Sequence, residues 1–534
     1  MDFRTIRIDA IPLAIAAAIG LVGAFIGLTA SSFWIDEMFT AWVVGTDRSI
    51  VGAVSRMALD VHPPIYYLLV SAVTAVFGPT DFVMRMLSAI MGCIAILLFF
   101  WLTRRHFSLS ARLFAIALAV SSKFWFLQVQ NARDYTLSFI VGVLMLHLSL
   151  RLLDDIRDSG TGKARDYALL AGVGVIGTLT HFYDMFEFIA VGGLFFLLDA
   201  RKRIAIVLVV AAVTGLGYAY LKLLIEPFTI YSTSSGWVPN APAYYYRITT
   251  EAARQVVSRA GIAALFVCVL AAGLRRMIQR APERPWIGSR LLSWLSRWID
   301  PYLGFCLAVP VGLWVVGVGS SQVVAPNFTD RNWLVCLPFF WGAFARLFDL
   351  GIGQISGKPR LAAGLLVGAL TLWSALIVTA RGRQVNQPFR DVADLVKSHP
   401  QCAGQPIPSM YFSIVGWKDP AFGTIRYGSA SQHYLGDYAK ALPVYFGDLQ
   451  TGRAAEMQKL VIDRLKGGGC PILATAVHGA KRDNIADLAA TIDRIGAAHG
   501  ATARAKVVPV KMYVAGSRYP DTTVGGYVLT VSPG

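Results

Sequence analysis

The 534-residue sequence is poor in charge, cysteine and histidine. Only 15% of its residues are charged, whereas soluble domains carry about 25%, so the chain is not a string of ordinary soluble domains. Six cysteines exclude a small disulfide scaffold, and no CxxC or Cys/His spacing indicates a structural zinc site. The sequence also lacks a GxxxxGK[ST] loop and a glycine fingerprint that opens a helix after a strand, so a nucleotide-bound substrate is unsupported.

The chain is instead rich in apolar and aromatic residues. Hydrophobic residues make up 55% of the sequence, which contains 30 Phe, 20 Tyr and 13 Trp and has a mean hydropathy of +0.54. These values predict a polytopic membrane protein, whose helices need runs of roughly 20 apolar residues to cross the bilayer. The net charge of +17 does not indicate nucleic-acid binding, because the Lys and Arg residues are scattered between the apolar runs and form no basic face.

Hydropathy and charge together predict the topology. The apolar runs predict about eleven transmembrane helices, near residues 11–30, 82–103, 112–129, 135–153, 166–181, 185–199, 204–224, 260–274, 302–319, 333–348 and 361–380. With a cytoplasmic N-terminus, the inner loops carry about 21 Lys and Arg residues and the outer loops about 10, which is the positive-inside bias. The odd number of helices places the C-terminus outside. The run at 63–78 is too short to span, and we expect it to lie on the outer membrane face.

The composition changes after residue 380. Residues 381–534 contain no spanning run, and short β-like stretches alternate with helical ones. This pattern predicts a compact extracytoplasmic α/β domain that follows a transmembrane catalytic domain at 1–380. Cys402 and Cys470 are the only cysteines after residue 380, and we expect this domain to face an oxidising compartment. They are predicted to form a disulfide, the alternative being two free buried thiols.

Ionisable residues close to apolar runs are the informative ones in a membrane protein, because each costs roughly 2.5–3.5 kcal/mol at mid-membrane. In this sequence they gather at the outer ends of the predicted helices. The cluster comprises Asp36, Glu37, Asp60, His62, Arg85, Arg133, His181, Tyr183 and Arg331. Each residue alone has an ordinary explanation, such as a helix cap, a solvated boundary or an arginine that reaches the lipid headgroups. Their shared side of the membrane favours a functional site.

Paired acids beside arginines, at the depth of the lipid headgroups, suit the attack of a hydroxyl group on an activated sugar. A carboxylate takes the proton as general base, while Arg or His offsets the charge of a departing phosphate. Since the sequence contains no nucleotide-binding motif, a site on the outer face needs a donor that is itself a lipid.

The Asp36-Glu37 pair, the DVHPP motif at 60–64 and the stretch FGPTDFVMRMLSAIMG at 77–92 resemble membrane glycosyltransferases of the GT-C class. They are most similar to the superfamily of protein O-mannosyltransferases and aminoarabinose transferases, including its bacterial branch of lipopolysaccharide-type sugar transferases. ARDYTLSF (132–139), THFYD (180–184) and DRNWLVCLP (330–338) resemble the weaker motifs of that branch. The resemblance covers residues 1–380 and implies a multi-pass protein of the inner membrane, with its active site and C-terminal domain facing the periplasm.

The resemblance also implies roles for individual residues. The implied catalytic residues are Asp36, as the base, and Glu37, as its partner in orienting the acceptor or holding a cation. The assigned donor-phosphate ligands are Arg85, His62, Arg133 and Arg331. The assigned substrate-binding residues are Asp60, His181 and Tyr183. A divalent cation stays an open alternative, and its candidate ligands are Glu37, Asp60 and His181. Val61 stands where the aminoarabinose branch carries a Glu, which counts against a metal site of that kind.

The sequence therefore predicts an inverting glycosyltransferase that moves a sugar from a polyprenyl-phosphate donor to an outer-face acceptor, which is a lipopolysaccharide, another glycan or lipid, or a protein hydroxyl. Two alternatives stay open. A transporter or flippase of lipid-linked sugars would favour internal repeats and charges at the membrane midplane, and the sequence shows neither. An O-antigen ligase or polymerase with a diphosphate lipid donor would depend on outer-loop arginines without an Asp-Glu pair after the first helix.

Overall fold

The computed structural model describes residues 8–45, 49–57, 62–225, 239–278, 300–323, 327–381, 387–412, 420–477, 480–514 and 523–533. The helices in these ranges are α1 (Ile11–Gly23), α2 (Ile35–Val44), α3 (Ile50–Met57), α4 (Ile65–Phe77), α5 (Asp81–Leu102), α6 (Leu109–Val120), α7 (Lys123–Val129), α8 (Tyr135–Ser159), α9 (Ala164–Thr178), α10 (Phe182–Leu198), α11 (Arg203–Tyr220), α12 (Pro242–Val256), α13 (Arg259–Ile278), α14 (Pro301–Val323), α15 (Leu337–Leu350), α16 (Gly357–Arg381), α17 (Phe389–Lys397), α18 (Pro420–Leu435), α19 (Phe446–Gln450), α20 (Ala455–Leu465) and α21 (Arg482–Ala498). The strands are β1 (Pro406–Tyr411), β2 (Lys440–Tyr445), β3 (Ile472–Ala476), β4 (Arg504–Val514) and β5 (Thr523–Ser532). The predicted fold class, mostly helical with a C-terminal α/β part, is confirmed.

Six helical units in the described ranges are long and apolar enough to cross a membrane. They are α5, α8, α11, α14, α16 and the unit in which a 3-10 helix at Asp330–Cys336 leads into α15. The number rises to eight if the bent pairs α6 with α7 and α12 with α13 each count as one span. The predicted count of about eleven is not confirmed, because α1, α9 and α10, with 13, 15 and 17 residues, are shorter than the roughly 20 residues of a full span. α4, with 13 residues, is likewise short, as expected for the segment at 63–78.

Local sequence signals set the ends of these helices. The Thr80 hydroxyl precedes α5 and accepts a hydrogen bond from the Val83 N–H at 3.3 Å, while Ser122 caps α7 in the same way. α8 ends at Gly160, whose φ of 75° is a left-handed conformation that favours glycine. The 68° bend between α6 and α7 falls at Ser121 and Ser122, where one helix stops and the next is capped.

Glycines let the helices approach closely. A Cβ atom on Gly92 of α5 would lie 2.3 Å from the side chain of Val129, and one on Gly20 of α1 would lie 2.3 Å from Val120. Both distances are far below a van der Waals contact, so larger residues do not fit at these positions. Close backbone approach is a usual basis of helix association in membranes, where lipid chains compete with apolar side chains. Gly92 thereby holds α5 against the end of α7.

The C-terminal part contains a mixed five-stranded sheet in the order β2-β1-β3-β5-β4. β1 pairs in parallel with β2 and β3, whereas β5 runs antiparallel to β3 and β4. β1 and β3 are buried along nearly their whole length, as expected for parallel strands that are covered on both faces. The structure joins Cys402 to Cys470 in a disulfide, which links the segments that precede β1 and β3.

The C-terminal part shares a hydrophobic cluster with the helices α2–α5. Phe33, Phe39 and Tyr67 lie in the same cluster as Phe389 and Val396 of α17. α18 also packs directly against α2. The division of the chain at residue 380 stays a prediction, and in the described residues the two parts meet through a common core.

Candidate active site

The predicted site residues that the structure describes gather near the short helix α2. Trp34 precedes the helix, and Asp36 and Glu37 lie in its first turn, where the helix dipole favours negative charge. Successive residues of a helix point about 100° apart, so the two carboxylates face different surroundings. The Asp36 side chain is 24% exposed, whereas Glu37 is fully buried. The two neighbouring acids therefore have different environments.

Glu37 is bound on both carboxylate oxygens. Arg85 donates to Oε1 from Nε at 2.7 Å and to Oε2 from Nη2 at 2.6 Å, and the two side chains are almost completely buried. The backbone N–H groups of Ala132 and Trp34 donate to the same carboxylate at 2.9 and 3.2 Å. The hydrogen bonds of this buried carboxylate have a structural role, because they connect α2 to α5 and to the turn before α8.

The structure does not place Arg85 where a donor phosphate could reach it. Besides the two bonds to Glu37, the guanidinium donates to the carbonyl oxygens of Leu28, Ser31 and Ser32 at 2.6, 2.8 and 3.1 Å. An arginine has five N–H donors, and all five are engaged within the protein. The residue is 1% exposed. This geometry corrects the predicted phosphate contact, because it gives Arg85 a positioning role and leaves no donor for a ligand.

Asp36 is paired with Arg331 across the site. Its Oδ2 accepts a hydrogen bond from Nη1 at 3.0 Å, and the arginine side chain is 28% exposed. The guanidinium lies 4.6 Å above the ring of Trp34, whose Nε1 donates to Oδ1 of Asn131 at 2.9 Å. A partly open carboxylate beside a cation can take a proton from an approaching hydroxyl while the cation stabilises developing negative charge.

Arg133 connects His62 to α2 from the turn before α8. Its Nη1 donates to the backbone carbonyl of Asp36 at 3.1 Å and to the Tyr67 hydroxyl at 3.2 Å, and its Nη2 lies 2.8 Å from Nε2 of His62. Although burial works in the opposite direction, Tyr67 and Asp134 raise the pKa of Arg133 well above its ordinary value. Arg133 is therefore a buried cation that links the His62 ring to the backbone of α2.

His181 and Tyr183 lie at the start of α10. The His181 ring centroid is 6.3 Å from that of His62 and 5.8 Å from that of Tyr135, and its Nδ1 accepts the Tyr183 N–H at 3.1 Å. Burial lowers the pKa of His181 to about 4, against the opposing charge of Asp134, so the ring is neutral at pH 7. The Tyr183 hydroxyl donates to Oδ1 of Asn327 at 2.7 Å. The structure thus brings His181 close to His62, whereas Tyr183 contributes its backbone N–H, which binds the His181 ring.

The structure adds Asp134 to the predicted set. Its residue is 3% exposed, and both carboxylate oxygens are buried without a hydrogen-bond partner among the described residues. Its charge acts on the neighbouring Arg133 and His181. Its position inside the ARDYTLSF stretch is the signal that could have identified it. Asp134 therefore places a further carboxylate close to Arg133 and His181.

The predicted metal ligands do not form a cation site in the described part of the chain. Both oxygens of Glu37 accept N–H bonds, and Nδ1 of His181 accepts one from Tyr183. Asp60, predicted as a substrate-binding residue and metal candidate, lies outside the described residues. Within the described ranges, no group of three His, Cys, Asp or Glu side chains could hold a metal ion. Glu37 therefore does not fit as a metal ligand, and the divalent cation stays an expectation.

Comparison with known proteins identifies the fold. The chain is similar to the structure of ArnT from Cupriavidus metallidurans bound to undecaprenyl phosphate, with a TM-score of 0.52, 12% identity and 97% of each chain covered. The apo oligosaccharyltransferase from Archaeoglobus fulgidus gives a TM-score of 0.44 at 13% identity, over 83% of this chain and 65% of that one. The arabinofuranosyltransferase AftD from Mycobacteria gives 0.42 at 14% identity, over 98% of this chain and 40% of that one.

The protein is a polytopic membrane protein with the GT-C fold, which confirms the predicted resemblance at the level of the fold. The family model of the dolichyl-phosphate-mannose-protein mannosyltransferases matches residues 61–224. This stretch contains His62, Arg85, Arg133 and His181, while Asp36 precedes it. No curated protein sequence shows significant similarity to the chain.

Proposed function

We propose that the protein is an inverting glycosyltransferase, which transfers a sugar from a polyprenyl-phosphate donor to an acceptor hydroxyl on the outer membrane face, with Asp36 as general base. The observation that carries this proposal is the partly exposed Asp36–Arg331 pair, next to the buried Glu37–Arg85 pair. Two of the similarities support a lipid-phosphate donor. The similar ArnT structure is bound to undecaprenyl phosphate, and the matching family is named for dolichyl-phosphate-mannose.

The reaction is a single displacement at the anomeric carbon. The acceptor hydroxyl donates a hydrogen bond to Asp36, which removes the proton as the oxygen attacks. The new carbon–oxygen bond forms opposite the bond to the phosphate oxygen, and that bond breaks with its electron pair remaining on the phosphate. The anomeric centre is thereby inverted. The products are the glycosylated acceptor, the polyprenyl phosphate and a protonated Asp36, which returns its proton to water.

The leaving phosphate gains negative charge, so it needs a cation or hydrogen-bond donor within the site. Arg331 meets this need, because it contacts Asp36 and is partly exposed. His62 is partly exposed and is held in place by Arg133, so its ring can face a phosphate oxygen. Arg133 itself is buried, and its positive charge acts on the phosphate without direct contact, whereas Arg85 acts only by holding Glu37 in position.

The predicted topology opens this site to the outer side of a bacterial inner membrane, with the C-terminal domain in the periplasm. The acceptor is accordingly a glycan, lipid or protein hydroxyl of the cell envelope. A reporter fused after Arg381 should be extracytoplasmic and one fused near Lys163 cytoplasmic, because the basic loops alternate with the outer ones. If both reporters lie on the same side, the orientation is contradicted.

The function is tested by transfer from radiolabelled polyprenyl-phosphate sugars to envelope acceptors, with purified protein in detergent. Asp36→Asn keeps the shape of the side chain but cannot take the proton, so turnover should fall at least ~10²-fold while donor binding is retained. The matched control is Asp300→Asn, which breaks the Asp300–Arg346 pair outside the site. Near-normal transfer by a folded Asp36→Asn protein would contradict the assignment of the base.

A further inference from the structure

The segment at 29–35, which leads into α2, is hydrogen-bonded to the C-terminal domain. The Phe33 N–H donates to the Tyr434 hydroxyl at 2.7 Å, and the Ile35 N–H donates to Oε1 of Gln387 at 3.0 Å. The Ser32 hydroxyl donates to the backbone carbonyl of Gln387 at 2.5 Å. The first N–H groups of a helix have no partner within the helix, so Gln387 caps the very helix that carries Asp36.

A second set of bonds fastens the same domain to the start of α5. Asp81 accepts hydrogen bonds from Arg390 of α17 and from the Tyr434 hydroxyl of α18, each at 2.6 Å, and lies 3.1 Å from Nε2 of His433. Arg390 also donates to the Thr29 carbonyl at 2.9 Å. Burial and the charge of Asp81 raise the pKa of Tyr434, so its hydroxyl stays protonated as the donor. Tyr434 therefore joins Asp81 to the Phe33 backbone through one oxygen.

Packing reinforces these bonds. Phe33 is fully buried, and its ring stacks on His433 with centroids 5.6 Å apart. The guanidinium of Arg85 lies 4.8 Å from the same ring. Phe33 thus fills the space between the C-terminal domain and the buried pair of Arg85 with Glu37. Because the interior is closely packed, a shift of the domain at Phe33 would displace the start of α2 as well.

We infer that the C-terminal domain is a working part of the active site, in which Tyr434 and Gln387 are positioning residues that set the place of Asp36. This inference rests on the proposed function. Neither residue touches the substrate, and each acts through the backbone of the 29–35 segment. A displacement of about 1 Å at a catalytic group can cost roughly 10²-fold in rate, so two hydrogen bonds at this segment are enough to matter.

The first test compares two tyrosines of the same domain. Tyr434→Phe removes the acceptor of the Phe33 N–H and one donor to Asp81, so kcat should fall about tenfold with the donor KM within about twofold. Tyr438→Phe is the matched control, since its hydroxyl donates to the His399 carbonyl at 2.7 Å inside the C-terminal domain. An unchanged kcat for Tyr434→Phe, or an equal loss in both variants, would overturn the inference.

The second test does not depend on activity. Gln387→Met removes the acceptor of the Ile35 N–H at similar size, so the amides of Phe33 and Ile35 should exchange hydrogen at least about tenfold faster. Gln387→Glu keeps an acceptor oxygen and should restore the slow exchange. Failure of the wild type to transfer any sugar would count against the proposed function, while the exchange rates still decide the coupling. Unchanged exchange in Gln387→Met and Tyr434→Phe would refute the coupling.

Discussion

The contrast between the adjacent acids of α2 gives the sharpest prediction. Glu37→Gln keeps the shape of the side chain but removes its charge. In the wild type this carboxylate accepts two bonds from Arg85 and one each from the Trp34 and Ala132 backbones. The amide of glutamine has one oxygen instead of two and would direct its own NH₂ group toward these donors. We therefore expect Glu37→Gln to destabilise the fold around α2.

The size of the effect follows from burial. Arg85 is 1% exposed and Glu37 is fully buried, so loss of the carboxylate leaves a buried cation without its counter-charge. Breaking such a pair by removing one partner costs about 3–5 kcal/mol. Asp36→Asn, by contrast, changes a side chain that is 24% exposed, where a surface pair contributes at most about 1 kcal/mol. Glu37→Gln should therefore lower mainly the stability, and Asp36→Asn mainly the turnover.

Scanning fluorimetry of the purified variants in detergent measures this contrast. We expect the thermal midpoint of Glu37→Gln to fall by at least about 5 °C, with a lower yield of folded protein, and that of Asp36→Asn to stay close to wild type. Turnover per folded molecule should show the reverse order. A Glu37→Gln protein with the wild-type thermal midpoint and a selective loss of turnover would refute the structural role and favour a catalytic role for Glu37.

Three further predictions concern other parts of the site and the C-terminal domain. Arg331→Gln should lower kcat about tenfold, because it removes the cation that stabilises the charge gained by the leaving phosphate, and an unchanged kcat in transfer kinetics would argue against that contact. Since the pKa of His181 is lowered to about 4 from 6.5, the unfolded chain binds its proton first, and stability should fall by about 3 kcal/mol as the pH drops through this range. His181→Asn should flatten this fall in pH-dependent melting, and an identical slope would contradict the assignment. Peptide maps with and without reductant should differ by a linked Cys402–Cys470 pair, and two free thiols in protein from the native compartment would exclude it.

The fold class could be predicted from the sequence, because it depends on local patterns. Apolar runs show where helices lie, and the Asp36-Glu37 pair stands directly after the first run. The exact number of spans is less accessible, since hydropathy does not distinguish a straight helix from the bent α6–α7 pair. The order of elements could thus be predicted better than their depth in the membrane.

Which side chains bind each other could not be predicted from sequence patterns. Glu37 and Arg85 are 48 residues apart, and no spacing shows that they bind each other and not a ligand. Gln387 and Tyr434 belong to a domain without a recognisable motif, yet they bond to residues that are more than 350 positions away. Such contacts follow from packing of the whole chain, and a motif cannot encode them.

The distance in sequence between Phe33 and Tyr434 has a consequence for how the protein is made. The two residues are 401 positions apart, and ribosomes add about 5–20 residues per second, so roughly 20–80 s separate their synthesis. During that time α2, with Asp36, has been synthesised, but Tyr434, a partner of the segment before it, has not. The contacts of this segment are therefore completed only when the last part of the chain has been synthesised and has packed against it. A chain that terminates early would carry Asp36 without the contacts that Gln387 and Tyr434 make to the segment before α2.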